Sequence, residues 1–159
     1  MKARDIIKLI VSIAACQGAG LIGSLFTTAA IPTWYAGLQK PFFTPPNWLF
    51  APAWITLYIL MAVAAFLIWR KGLDQKGVRP ALIIFLIQLV LNASWSIVFF
   101  GLESPFYGVV VIIALWITIL LTMIKFFKLS TIAGALLTPY IAWVSFAAVL
   151  NVAIWILNS

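Results

Sequence analysis

Apolar residues fall in five long runs, separated by short polar or proline-containing breaks. The runs cover roughly residues 6–26, 51–69, 81–101, 105–127 and 131–157. Each is near the ~20 residues that a helix needs to cross the hydrocarbon core of a bilayer. The breaks carry helix punctuation. Arg70 and Lys71 close the second run, and Gly72 can cap it. Pro80 opens the third run and Gly101 closes it. Ser104–Pro105 reads as the N-cap and first residue of the fourth, which makes the third and fourth helices antiparallel neighbours. Ser130 or Thr131 can cap the fifth run, and Pro139 inside it should bend the helix or loosen its hydrogen bonding. The pattern predicts an all-α integral membrane protein, a five-transmembrane-helix bundle forming one domain over residues 1–159.

Composition agrees: 65% of the 159 residues are hydrophobic and 8% are charged, where a soluble domain is about a quarter charged. The net charge of +7 would suggest nucleic acid on a soluble chain. Here the basic residues sit at the ends of apolar runs, so topology explains them and no nucleic-acid partner is expected. Lys2, Arg4, Lys8, Arg70, Lys71, Lys76, Arg79, Lys125 and Lys128 fall on one side of a five-helix arrangement, and only Lys40 on the other. The positive-inside rule then puts the N-terminus inside. The 1–2 connection, the 3–4 turn and the C-terminus lie outside, in a multi-pass protein of the cytoplasmic membrane.

The chemistry is sparse. With no His and a single Cys, the chain lacks the means for an internal disulfide, a His/Cys metal cluster or a haem with an axial His. Neither a metal nor a cofactor is expected. The stretch SIAAC at 12–16 resembles a lipoprotein signal, but the apolar run continues through Leu21, Ile22, Leu25 and Phe26. Cys16 therefore reads as a buried thiol within helix 1. Asp5, Asp74 and Glu103 lie at helix ends or in loops, so no mid-membrane carboxylate offers the relay of a proton-coupled pump. No acid–base pair or activated nucleophile assembles either, and no catalytic residue is assigned on those grounds. Enzyme and active transporter lose weight, and a binding protein gains by elimination.

Residues 34–58, WYAGLQKPFFTPPNWLFAPAWITLY, hold four prolines and three tryptophans. The connection over 27–50 is long for a structureless loop. Its many rings bury surface, and Pro41, Pro45 and Pro46 fix backbone angles. It reads either as a folded lid over the outer end of the bundle or as an interfacial aromatic belt. Pro52 suits the first turn of helix 2. Helix 3 carries Gln88, Asn92, Ser96 and Phe99 on one face with Trp95 beside them, helix 2 carries Trp54, Leu57 and Tyr58, and helix 5 carries Trp143, Ala147, Leu150 and Asn151. These stripes face inward, either as packing or as one cavity in which Trp54, Asn92 and Trp143 meet a flat apolar ligand. In helix 1, Ala19–Gly23 and Gly20–Ser24 are small-residue pairs that let a helix of this chain, or of a second copy, approach closely.

The segments WYAGLQKPFFTPPNWLFAPAWITLY (34–58), QLVLNASWSIVFFG (88–101) and PYIAWVSFAAVLN (139–151) resemble the tryptophan-rich sensory protein family, also called the translocator protein or peripheral-type benzodiazepine receptor family. The resemblance spans almost the whole chain. It implies a five-helix bundle, usually a homodimer, with a ligand cavity opening toward the 1–2 connection. The implied ligands are porphyrins such as protoporphyrin IX, sterol-like lipids, and isoquinoline and benzodiazepine drugs, the porphyrin being a ligand rather than a cofactor. Carried over by motif, the cavity residues are Tyr35, Pro45, Trp54, Asn92, Trp95, Phe99, Trp143, Ala147 and Leu150. Light-dependent porphyrin breakdown, attributed to bacterial members, would involve Trp54 and Trp143. The stretch matching the sterol-recognition pattern of animal members, VLNVAIWILNS (149–159), has no Tyr and no basic residue, which counts against sterol binding there and fits a microbial member. Three roles follow from the resemblance: a porphyrin-binding sensor or receptor in which Lys40 meets a propionate, a photo-oxidative enzyme-like protein, and a passive carrier of porphyrin or lipid.

Overall fold

The computed structural model describes residues 2–159. Helix α1 spans Ala3–Ala30, α2 Asn47–Trp69, α3 Val78–Ser96, α4 Pro105–Leu129, α5 Thr131–Leu136 and α6 Thr138–Leu157. α3 runs on as a π-helical segment, Ile97–Gly101, and α5 and α6 together make the fifth span. Five spans are therefore long and apolar enough to cross a membrane. α3 and α4 are antiparallel neighbours, α1 packs on α2 and α3, and α4 also packs on α6.

Local chemistry accounts for most ends. Pro32 has no N–H to carry the ladder of α1 beyond its last turn. Gly77, at φ +91°, takes the left-handed conformation that leads into α3. The hydroxyl of Ser104 accepts from the Tyr107 N–H at 3.2 Å, and that of Ser130 accepts from the Ala133 N–H at 3.2 Å, so both are N-caps. The fifth span breaks at Leu137 because Pro139 cannot donate back to the carbonyl of Ala135.

Two expectations change. The connection is shorter than 27–50, because α1 runs on to Ala30 and α2 starts at Asn47. Pro46, extended at φ −62° and ψ 147°, sets the entry to α2. Pro52 consequently lies inside α2, in its second turn rather than its first.

The bundle differs along its length. Toward the 2–3 loop it is solid: Met61, Ala62, Ala65, Ile68, Ala81, Ile119 and Met123 are buried, and Phe85 stacks on Phe126 at 5.9 Å. Toward the 1–2 connection α1, α2, the end of α3 and α6 part around a hollow.

Candidate functional site

The hollow has a volume of about 600 Å³, within the ~300–1,000 Å³ range of small-molecule sites. α1, α2, the end of α3, α6 and the 1–2 connection all supply its wall. None of the residues on that wall is charged.

Aromatic rings form its most ordered part. Trp54 stacks on Tyr58 at 5.7 Å and meets Trp143 edge-on at 6.4 Å. Trp95 stacks on Phe99 at 5.2 Å. The indole N–H of Trp95 donates to Oδ1 of Asn151 at 2.9 Å, and Nδ2 of Asn151 donates to the Pro105 carbonyl at 2.9 Å. This ties the C-terminal end of α3 to α4 and α6. The π-helical segment matters here. Its wider turn, marked by the Leu102 N–H donating to the Ile97 carbonyl at 2.9 Å, lets consecutive Phe99 and Phe100 both face inward.

The connection packs over the hollow end. Tyr35 is 2% exposed and packs edge-on to Phe50 and against Phe100. Trp34 meets Phe99 at 5.5 Å, and Phe43 meets Phe146 at 6.2 Å. Phe42, 100% exposed, and Trp48, 71% exposed, turn outward instead. One segment thus turns some of its rings inward over the hollow and others outward. The Tyr35 hydroxyl is buried with no hydrogen-bond partner among the described residues, and burial pushes its phenol pKa up. The Lys40 ammonium lies 4.7 Å from the centroid of the same ring. Asn158 ties the segment to the end of α6: Oδ1 accepts from the Gln39 N–H at 3.0 Å, and Nδ2 donates to the Gln39 carbonyl at 2.8 Å.

Of the residues carried over by motif, Tyr35, Trp54, Trp95, Phe99, Trp143, Ala147 and Leu150 line the cavity. Pro45 and Asn92 are not on its wall. Asn92 lies in a buried polar chain that begins at the cavity floor. The Tyr58 hydroxyl donates to Asn92 Oδ1, and Asn92 Nδ2 donates to the Tyr140 hydroxyl at 2.8 Å. Tyr140 in turn donates to Gln88 Oε1 at 2.6 Å, and Gln88 Nε2 approaches the Met61 sulfur at 3.8 Å. The helix 3 stripe therefore divides: Gln88 and Asn92 bond to side chains of α2 and α6, while Ser96 and Phe99 face the cavity.

The α1 wall was not anticipated. Gln17, Gly20, Gly23, Ser24, Thr27 and Thr28 all line the cavity. The small residues do admit neighbours, and those neighbours are in this chain. A Cβ on Gly20 would stand 2.6 Å from the Tyr58 ring, and one on Gly23 3.0 Å from the Ser96 hydroxyl. The signal available in the sequence was the run of polar and small residues at helical spacing from Gln17 to Thr28.

The profile of the TspO/MBR family matches residues 12–156. The chain is similar to the tryptophan-rich protein TspO of Archaeoglobus fulgidus, at 47% identity over 98% of this chain and 99% of that one. It is similar to the human translocator protein at 36% identity, over 84% of this chain and 80% of that one. It matches the tryptophan-rich sensory protein of Cereibacter sphaeroides at 36% identity, over 87% and 84%. A profile and relatives that cover nearly the whole five-span bundle establish that this chain is a multi-pass membrane protein and belongs to the TspO/MBR family.

Proposed function

We propose that the chain is a membrane receptor or sensor that binds porphyrins such as protoporphyrin IX, and related flat apolar ligands, in the cavity beneath the 1–2 connection. The observation that carries this reading is the wall itself: Trp54, Trp143, Trp95 and Phe99 around about 600 Å³ with no charged side chain. Such a wall offers faces and edges for stacking and little that would hold a small polar solute. The one basic residue near the mouth is Lys40, over the Tyr35 ring, where a propionate can reach it while the macrocycle stays inside. Names such as sensory protein and translocator protein among the relatives agree with a receptor. Sterol-like lipids and isoquinoline or benzodiazepine compounds would compete for the same space. The protein works as a homodimer in the cytoplasmic membrane, with the connection and C-terminus outside.

The test is a dark titration with protoporphyrin IX in lipid nanodiscs, following the Soret band. Each aromatic contact is worth about 0.5–1.5 kcal/mol, so the double variant Trp54→Phe, Trp143→Phe should bind about tenfold more weakly. A nonsaturable signal, or one equal in both proteins, would mean partition into lipid and would sink the reading. The adjacency of Trp54 and Trp143 at 6.4 Å favours a second reading, light-dependent porphyrin breakdown. The same samples under illumination test it: loss of porphyrin colour in the native protein that is absent in Trp143→Phe supports it, and equal bleaching in both excludes it.

A further inference from the structure

Four side-chain amides lie well inside the spans: Gln17, Gln88, Asn92 and Asn151. Three are held on both sides by protein. Gln88 accepts from Tyr140 and approaches Met61, Asn92 joins Tyr58 to Tyr140, and Asn151 joins Trp95 to Pro105. Gln17 is the exception. Its side chain is half-buried on the cavity wall and has no hydrogen-bond partner among the described residues. An amide in an apolar span is costly unless something satisfies it.

Its depth narrows what that something is. Gln17 is the α1 wall residue furthest from the connection, and Tyr58 is its counterpart on α2, so the two mark the cavity floor. The Tyr58 hydroxyl already donates away from the cavity, to Asn92. No charged side chain lines the wall, and Lys40 stands with the connection at the opposite end. A ligand carboxylate therefore has its partner at the mouth and none at the floor. The floor offers a neutral group that both donates and accepts.

We propose that Gln17 is a specificity-determining residue of the cavity floor, whose amide hydrogen-bonds a neutral hydroxyl or carbonyl on the inward edge of a flat ring ligand carrying its carboxylates at the mouth. This rests on the porphyrin-binding reading and adds an orientation and a chemical preference to it. Ligands with an apolar inward edge, protoporphyrin IX with its vinyl groups among them, still fill the cavity but leave the amide unpaired, so they bind more weakly than relatives hydroxylated on that edge.

Two porphyrins make the test. Mesoporphyrin IX and haematoporphyrin IX share the macrocycle and both propionates. On the edge away from the propionates the first carries ethyl groups and the second 1-hydroxyethyl groups. Both are titrated in the dark into native protein in nanodiscs and corrected for binding to empty nanodiscs. The native protein should favour haematoporphyrin by about three- to tenfold, the scale of one neutral hydrogen bond. Gln17→Leu should abolish or reverse that preference, read as the ratio of the two affinities in the variant against the ratio in the native protein. Its unfolding temperature should be unchanged or higher, since no protein hydrogen bond is lost. Gln17→Met, of similar length, repeats the comparison if leucine impairs folding. A native preference for mesoporphyrin, or a ratio that the Gln17 variants leave untouched, overturns the assignment while porphyrin binding stands. Failure of both porphyrins to saturate the native protein overturns the porphyrin reading and this assignment with it.

Discussion

Replacing Asn92 with alanine would leave the hydroxyls of Tyr58 and Tyr140 without the amide that now joins them. Both side chains are buried, so each would have to find a new partner or bear a desolvation cost of about 1–3 kcal/mol. Asn92→Ala should therefore lower stability by about 2–4 kcal/mol, read as reduced resistance to thermal unfolding in detergent. An unchanged unfolding temperature would mean that the polar chain is not structural. The same residue shows how much of the site a sequence can reveal. Helical spacing puts Gln88, Asn92 and Ser96 on one face and directs that face inward, as observed. Spacing carries no information on which neighbour claims an amide first. Tyr58 and Tyr140 come from helices that are distant in sequence, and their reach to Asn92 becomes visible only in three dimensions. The rings are different. Trp54, Trp95, Trp143 and Phe99 reach the cavity wall as their stripes and the family motif suggested, because a large ring on an inward face has few other places to go.

Helix boundaries were legible wherever a residue's own backbone chemistry decides them. Ser104 and Ser130 are caps, Pro139 interrupts the fifth span, and the 3–4 connection is tight. The early start of α2 was less visible, because Pro45, Pro46 and Pro52 all resemble helix entries and only one can be. The π-helical turn at Ile97–Gly101 was not legible at all. It depends on Phe99 and Phe100 both finding space inward, which is a property of α1, α6 and the connection rather than of IVFFG itself. The α1–α2 contact leads to a prediction at this scale. Gly20 faces a Tyr58 ring that cannot swing aside, because its hydroxyl is bound to Asn92 and its face is stacked on Trp54. Gly20→Ala should separate the two helices at the cavity floor, destabilising the bundle by about 1–3 kcal/mol. Gly18→Ala, where an added Cβ meets nothing within 4 Å, is the control and should leave thermal unfolding unchanged or raise it slightly, since alanine favours the helix. Equal behaviour of the two variants would remove the close approach as an explanation for the glycine.

The whole molecule is polarised along the bundle axis: solid and basic at one end, hollow and aromatic at the other. The nine basic residues at the start of α1, in and beside the 2–3 loop and in the last turns of α4 cluster at the solid end, and Lys40 alone stands at the hollow end. Juxtamembrane Lys and Arg gain about 1 kcal/mol each from the anionic inner leaflet, so the sum strongly favours the solid end inside. A ligand that enters the cavity past the connection would then come from the outer face or outer leaflet. Site-directed labelling decides this. Cys16, the only native thiol, is fully buried and should stay silent toward a membrane-impermeant maleimide, so single introduced cysteines can be read without a background. Gln39→Cys, on the exposed stretch of the connection, should label in intact cells. Lys76→Cys, in the exposed 2–3 loop, should label only after permeabilisation. The opposite pattern would turn the bundle over, with the cavity and its lid facing the cytoplasm and Lys40 left as the only basic residue on the inner side.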